Sequence, residues 1–197
     1  MAGAMRDLEA AASAIRDGDL VVYPTETVYG LGADALDPAA IERAFAAKDR
    51  DRDDPISLAV PDVEAALAFV TLSQRERRFM DRFLPGPVTV VCERRDPVPD
   101  VLTAGLDRVG IRIPDHDLAL ALLERVAPIT ATSANVTGRP SVTRIADLDP
   151  EIREAAAVVL DGGETGGTAS TVVDVERGEI HRRGAIADDI EAWFDAA

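Results

Sequence analysis

A short run of basic residues has the types and spacing to hold an anion. Lys48 is the only lysine in the chain, and Arg50 and Arg52 follow it in the stretch FAAKDRDRDD. One interpretation is that these cations complement the carboxyl end of a preceding helix, where partial negative charge collects. The other is a phosphate site, since ammonium and guanidinium groups both donate hydrogen bonds to phosphate oxygens. The residues alone leave both interpretations open.

Two polar loops could supply the uncharged side of such a site. The segment PTETVYGLGAD (24–34) contains hydroxyl groups, the carboxylate of Glu26 and two glycines that let the backbone approach a partner closely. The segment TATSANVTGRPSVT (130–143) contains Ser, Thr and Asn side chains and could present backbone N–H groups to a phosphate. Each segment could equally be a polar turn that is hydrogen-bonded to itself.

Another candidate is Arg112, which alternates with aliphatic residues in RVGIRIP (108–114) and faces either a site or solvent. The two histidines, His116 and His181, lie in no recognisable nucleophile or metal-binding pattern, and His116 is expected at the start of a helix. Several cations at loop ends, without an evident nucleophile or base, indicate phosphoryl or nucleotidyl transfer. That chemistry depends largely on positioning and charge neutralisation.

The composition limits the class of protein. The chain has 197 residues, 47% of them apolar, which suits one domain with a full hydrophobic core. Its net charge of −15, with 36 acidic residues, resembles the surface of a halophilic protein and argues against a general nucleic-acid binder, although a local basic pocket remains compatible. Cys92 is the single cysteine, so no internal disulfide can form. The absence of a long apolar run and of a signal-peptide pattern predicts a cytoplasmic protein.

Hydrophobic periodicity and capping residues predict helices and strands in mixed order. Helices are predicted over residues 5–17, 37–48, 73–84, 117–127 and 186–195. Strands are predicted over residues 19–24, 56–60, 88–93, 108–114, 128–135, 157–160, 170–176 and 179–184. We find no repeat or linker, so residues 1–197 are expected to form a single α/β domain. Its core would be a twisted mixed β-sheet of about seven or eight strands with packed helices.

Seven motifs follow one another along the chain. They are YPTETVYGLGADA, the K-x-R of KDRDRDDP, LPGPVTVV, VGIRIPDH, TSANVTGRPS, DGGETGG with the following STVVD, and RRGAI. In type, order and spacing they resemble the YrdC-like family of threonylcarbamoyl-adenylate synthases, and they cover about residues 8–186. Because the longer members have an extra C-terminal domain, the chain resembles the short, single-domain type.

The resemblance implies a nucleotidyltransferase that joins L-threonine, bicarbonate and ATP into threonylcarbamoyl-AMP and releases pyrophosphate. Mg²⁺ is expected to accompany the ATP. The product would pass to a downstream tRNA threonylcarbamoyl-transferase complex, which modifies the adenosine beside the anticodon. Direct RNA binding would be weak, and no membrane is implied.

The resemblance also implies roles for particular residues. Threonine would be held by Thr25 and Arg112, with Ser170 nearby. Lys48 and Arg50 would be the catalytic cations, because they would meet the nucleotide phosphates. The implied ATP-binding set is Lys48, Arg50, Arg52, Ser133, Asn135, Ser141 and Arg182.

The sequence departs from the family pattern at two places. Asp51 stands where the family has proline after K-x-R, and Arg183 stands where the family has the proline of R-P-G. The first change predicts a looser or displaced loop. The second leaves open which arginine faces the site, and the register favours Arg182 over Arg183.

The main alternative function is an RNA-binding or ribosome-associated protein of the same fold without synthase activity. The strongly negative charge weighs against it, because phosphate contacts require a basic surface. Two weaker alternatives are a carbamoyl-transferring domain of hydrogenase maturation proteins and a simple nucleotide-binding module. The first belongs to longer chains with Cys-rich segments, and the second would have no need for threonine.

Overall fold

The computed structural model describes residues 2–196, with side chains from residue 6 onward. Its ten strands are β1 Leu20–Tyr23, β2 Gly30–Gly32, β3 Ser57–Ala59, β4 Val70–Thr71, β5 Val88–Arg94, β6 Arg108–Arg112, β7 Ile129–Ser133, β8 Ala156–Val159, β9 Thr171–Asp174 and β10 Glu179–Arg182. Its helices are α1 Ala2–Arg16, α2 Pro38–Lys48, α3 Val63–Ala66, α4 Gln74–Phe83, α5 Asp100–Thr103, α6 Asp117–Val126, α7 Pro150–Ala155 and α8 Ala187–Ala196, with a 3₁₀ turn at Ile145–Asp147.

The strands form one mixed sheet in the order β10-β9-β5-β6-β3-β7-β2-β1-β8, and β4 pairs with β5 at the side. Pairs β5–β6 and β1–β2 are antiparallel, whereas β3–β6, β5–β9 and β1–β8 are parallel. The predicted α/β class with a twisted mixed sheet is therefore confirmed. The strand number is corrected from seven or eight to ten.

The two strands that the sequence analysis missed are β2 and β4. β2 has the sequence Gly-Leu-Gly, and glycine is disfavoured in strands, so composition gave no strand signal. Gly30 and Gly32 nevertheless pair with β1, and glycine is required at position 30 because a side chain there would collide with the ring of Tyr23. A Cβ atom on Gly30 would lie 2.7 Å from that ring. β4 has only two residues, which is too short for any periodic pattern.

The longer helices begin where the capping residues predict. Asp37 caps α2 by accepting a hydrogen bond from the Ala39 backbone N–H, and Pro38 occupies the first turn. Ser73 and Glu76 form the predicted capping box of α4. His116 is the residue that precedes α6, as expected. The short helices α3, α5 and α7 were not predicted, since four to six residues show little periodicity.

An aromatic cluster joins the C-terminal helix to the core. Phe79 of α4 is fully buried, and its ring lies 5.1 Å from the ring of Trp193 and 4.6 Å from that of Phe83, measured between centroids. Phe194 stacks on the same ring at 6.3 Å. α8 is thereby fixed beside β10, the strand that ends in Arg182.

Among the helices of residues 2–196, none combines the length and the apolar character that a membrane crossing requires.

We expect Phe79→Ala to lower the free energy of unfolding by about 3–5 kcal/mol, because the substitution leaves a cavity among three other aromatic rings. Phe79→Leu, which refills part of that volume, should cost less. Urea unfolding followed by tryptophan fluorescence would measure both changes. If Phe79→Ala cost no more than an exposed substitution such as Arg82→Ala, the packing of α8 on α4 would be wrong.

Candidate active site

One cavity of about 710 Å³ opens beside the sheet and takes residues from distant parts of the chain. The loop after β1, the loop after α2, strand β6, the end of β7 and the start of β9 all contribute to its wall. Seven of the residues assigned by resemblance line it: Thr25, Arg50, Arg112, Ser133, Ser141, Ser170 and Arg182.

Among the described residues, five arginines line this cavity, and three of them, Arg50, Arg112 and Arg182, lie close enough for their charges to interact. Arg112 is buried, Arg50 is half-buried, and Arg182 is exposed as a whole residue although its guanidinium group is partly enclosed. Desolvation of that group, together with repulsion from Arg50 and Arg112, lowers the pKa of Arg182. Like charges held this close to one another favour an anionic ligand, which would relieve the repulsion.

The loop between α2 and β3 holds Arg50 by its own backbone. Arg50 Nε donates to the Asp54 carbonyl and Nη2 to the Pro55 carbonyl, both at 3.0 Å. Asp49 ends α2 in the left-handed region, at φ 48°, and so turns the chain toward the cavity. Asp51, the departure from the family proline, accepts a hydrogen bond from the Asp53 backbone N–H at 3.0 Å. The loop is therefore closed by an Asx-type turn at the position where a proline was expected.

At the other side of the cavity, the strand register separates the two neighbouring arginines. Arg182 donates to the Ser170 carbonyl from Nε at 3.1 Å and from Nη2 at 2.9 Å, and Nη2 also reaches Ser170 Oγ at 3.0 Å. Arg183 points the opposite way and forms ion pairs with Asp188, at 2.6 Å, and with Glu191 of α8. Arg182 is thus the arginine that faces the cavity, as the register predicts.

The threonine-side residues assigned by resemblance are Arg112 on β6, Ser170 just before β9 and Thr25 in the loop after β1, and β5 lies between β6 and β9. Thr89 of β5 is paired with Arg112 of β6, and Thr89 Oγ1 lies 3.1 Å from Ser170 Oγ. Thr25 Oγ1 donates to the Val28 carbonyl at 2.7 Å and closes the turn that follows β1. The hydroxyl of Thr25 is therefore committed to the turn, while the residue still forms part of the cavity wall.

Arg112 is opposed by one carboxylate. Its Nη2 lies 2.6 Å from Glu26 Oε1, but the two groups are not aligned for a hydrogen bond. Nη1 is 3.4 Å from the carbonyls of Val88 and Ile113, which makes both contacts long. Arg112 therefore keeps hydrogen-bonding capacity for another partner.

A family model for Sua5, YciO and YrdC proteins, described as telomere recombination, matches residues 13–184. The chain belongs to the Sua5/YciO/YrdC family. A relative from Pyrococcus abyssi named threonylcarbamoyl-AMP synthase is 43% identical over 168 residues, which are 84% of this chain and 49% of the relative. The chain thus spans about half the length of that curated relative.

Two solved structures of the family have the same fold. Sua5 of P. abyssi complexed with L-threonine superposes with a TM-score of 0.82 at 40% identity, over 90% of this chain and 54% of that one. YciO of E. coli superposes with a TM-score of 0.81 at 25% identity, over 92% of both chains. The twisted mixed sheet is therefore a property of the family.

Lys48 lies beside the cavity and does not line it, in contrast to its assignment as a phosphate ligand. It is 2% exposed, and its Nζ donates to the carbonyls of Ser133 and Asn135, the latter at 2.6 Å. Lys48 does stand in the last turn of α2, as the helix-end interpretation requires, although its hydrogen-bond partners belong to a distant loop. Lys48 fixes the end of β7 to α2 and still has a third N–H.

Burial, reinforced by nearby Arg50, lowers the pKa of Lys48 to about 8.

Arg52 and Asn135 are the other two assigned residues that the structure places outside the cavity wall. Arg52 points to solvent and pairs with Glu42, with Nε 3.0 Å from Oε2, so it does not line the cavity and its place in the ATP-binding set stays a prediction. Asn135 donates from Nδ2 to the carbonyls of Val136 and Arg139 at 2.9 Å. Asn135 is therefore a self-bonded turn residue, the alternative that the sequence left open for this loop.

Sequence reasoning missed other cavity residues. Arg108 lines its far end and pairs with the buried carboxylate of Asp174 at 3.0 Å, and Thr89 lies between Arg112 and Ser170. Strand alternation was the available signal for Arg108, because it shares the face of Gly110 and Arg112. Glu26 does not itself line the cavity but contacts Arg112, which does, and no sequence signal marked this contact.

A metal cage built by the protein does not fit this cavity. Over residues 2–196, no group of three or more His, Cys, Asp or Glu side chains is arranged to hold a metal ion. Mg²⁺ needs few protein ligands when a nucleotide supplies phosphate oxygens. The Mg²⁺ expected with ATP therefore stays a prediction.

We expect the stability of the wild type to rise relative to that of Lys48→Met as the pH increases from about 8 toward 10.5, the ordinary lysine pKa. In that interval the folded protein has released the lysine proton while the unfolded chain retains it, so unfolding takes up a proton and becomes less favourable. Urea unfolding of both proteins at several pH values would measure the difference. A difference that stays constant with pH would show that Lys48 keeps its ordinary pKa.

Proposed function

We propose that the chain synthesises threonylcarbamoyl-AMP and pyrophosphate from L-threonine, bicarbonate and ATP. The observation that carries the proposal is the convergence of Arg50, Arg112 and Arg182 on one cavity. All three reactants carry groups that arginine binds: threonine has a carboxylate, bicarbonate is an anion, and ATP has phosphates. The name of the P. abyssi relative and the L-threonine in the Sua5 complex support the same reaction. The proposal extends to this chain an activity named for the P. abyssi relative, of which the matched region is 49%.

The cavity has a side that suits the amino acid. Arg112 offers free donor capacity from a planar fork, which matches a carboxylate better than a lysine would. The hydroxyls of Thr89 on β5 and of Ser170, just before β9, lie 3.1 Å apart beside Arg112 and would orient the substrate.

The opposite side suits the nucleotide. Arg50 donates from Nε and Nη2 to backbone carbonyls, and its Nη1 is left to bind a ligand. Ser133, at the end of β7, and Ser141 also line the cavity. Lys48 donates to the carbonyls of Ser133 and Asn135 outside the cavity wall and adds a positive charge near the cavity. We assign Arg50 and Arg182 to the phosphates, and Lys48 to the support of their loop.

The chemistry needs these cations in two steps. First the threonine nitrogen bonds to the carbon of bicarbonate and water is lost, which gives an anionic carbamate. A carbamate oxygen then attacks the α-phosphorus of ATP while the bond to the β-phosphate oxygen breaks and pyrophosphate leaves. The attack brings two anions together, and preorganised guanidinium groups lower its barrier by stabilising the charge on the transferring and leaving groups.

The wider role follows from the product. We propose that threonylcarbamoyl-AMP passes to a tRNA threonylcarbamoyl-transferase complex and that the protein acts in the cytoplasm. The acidic surface suits a halophilic protein, because concentrated salt relieves its self-repulsion. RNA binding without synthase activity is less compatible with this surface.

We expect Arg50→Ala to lower the rate of threonine-dependent pyrophosphate release by about 10²–10³, the usual effect of removing one preorganised donor. Arg52→Ala is the matched control on the same loop. It should change the rate little, since Arg52 pairs with Glu42 at the surface. The assay supplies ATP, L-threonine and bicarbonate and omits each in turn.

Equal losses in both variants would contradict the placement of Arg50 in the site. An absence of threonine-dependent pyrophosphate release in the wild type, combined with tight binding of structured RNA, would replace the proposed enzyme by the RNA-binding alternative.

A further inference from the structure

The ion pair between Glu26 and Arg112 is unusual because it is enclosed but incompletely bonded. The whole of Arg112 is 6% exposed, and Nη2 lies 2.6 Å from Glu26 Oε1. Among the described residues, neither carboxylate oxygen of Glu26 nor Nη2 of Arg112 has an aligned hydrogen-bond partner, and all three atoms are inaccessible to solvent. A buried charge with unused donors or acceptors is costly, so the arrangement favours a ligand that completes it.

The backbone around Glu26 is fixed by a glycine-rich segment, residues 162–167. Gly166 N–H donates to the Glu26 carbonyl at 3.3 Å, and Gly167 N–H donates to the Thr27 carbonyl at 2.6 Å. A Cβ atom on Gly166 would lie 2.6 Å from the Glu26 carbonyl oxygen, so a larger residue would not fit. The backbone at Glu26 is thus fixed between Thr25 and Thr27, which line the cavity, while the side chain of Glu26 lies against Arg112.

An α-amino acid carries the two charges that such a pair could accept. Its carboxylate matches the guanidinium of Arg112, and its ammonium matches the carboxylate of Glu26. A simple carboxylate would match only Arg112, and it would leave Glu26 buried without a counter-ion. The pair can therefore distinguish a zwitterion from an anion of the same shape.

We propose that Glu26 is the amino-acid specificity residue, and that in the free protein it occupies the place of the substrate carboxylate on Arg112. The carboxylate of the incoming amino acid displaces Glu26 from Arg112, and the released Glu26 then binds the substrate ammonium. This inference rests on the proposed function, because it takes Arg112 as the threonine-carboxylate residue.

The test compares the affinities of Glu26→Gln and wild type for two probes, L-threonine and 3-hydroxybutyrate, the analogue without the amine. Isothermal titration calorimetry measures the dissociation constants. The glutamine keeps the size of the side chain but, being neutral, neither repels the carboxylate of the probe nor attracts the ammonium group of threonine. Glu164→Gln is the matched control, since Glu164 is exposed and pairs with Arg144 outside the cavity wall.

We expect the wild type to prefer L-threonine and Glu26→Gln to bind 3-hydroxybutyrate more tightly than the wild type does. The ratio of the two affinities should fall by at least about tenfold, as expected for the loss of one charged hydrogen bond. Glu164→Gln should keep the wild-type ratio. If Glu26 only positioned Arg112, both probes would weaken by the same factor, and that result would overturn the inference.

A second measurement covers the case in which Glu26→Gln does not fold. In a crystal structure of the wild type with L-threonine, Glu26 should have left Arg112 Nη2 and should lie within hydrogen-bonding distance of the threonine amine. Contact between Glu26 and Arg112 that persists beside bound threonine would refute the exchange.

The two proposals fail in different ways. A wild type that releases pyrophosphate with threonine while Glu26→Gln keeps the affinity ratio would refute the role of Glu26 alone. A wild type that neither binds threonine nor releases pyrophosphate would refute the proposed function, and with it the present inference.

Discussion

The site depends on cations that are held by neutral acceptors. Arg50 is bonded to the carbonyls of Asp54 and Pro55, Arg182 to the carbonyl of Ser170, and Lys48 to two carbonyls of the β7 end. A carbonyl orients a guanidinium or an ammonium group without cancelling its charge. The positive potential of the cavity therefore remains available to a phosphate or a carboxylate.

Arginines at the surface are treated differently. Arg52 pairs with Glu42, Arg144 with Glu164, and Arg183 with two acids of α8, so each is neutralised where it stands. In a chain with 36 acidic residues such pairing is the ordinary fate of a basic side chain. Arg112 is intermediate between these two kinds of arginine, because it has one carboxylate partner, Glu26, that is not aligned for a hydrogen bond.

The sequence predicts the fold class and much of the site. Alternation along β6 and β10 placed Arg112 and Arg182 on strands whose registers bring them to one cavity, and capping residues located α2 and α4. Sequence patterns could not predict the orientation of Lys48, because its partners lie 85 and 87 residues away along the chain. The sequence could not predict that Arg52 faces solvent, for a related reason. The left-handed Asp49 and the turn at Asp51 decide which side of the loop each cation faces, and neither feature has a periodic signal.

The carbonyl groups that hold Arg50 and Arg182 also affect how the protein can evolve. A side-chain substitution can delete a carboxylate, but it cannot delete a main-chain oxygen, so the orientation of these two arginines tolerates changes in the residues around them. The outer surface is free of that constraint and can accumulate acidic residues with little effect on the cavity. Extreme surface acidity and a basic interior are thus compatible within one chain.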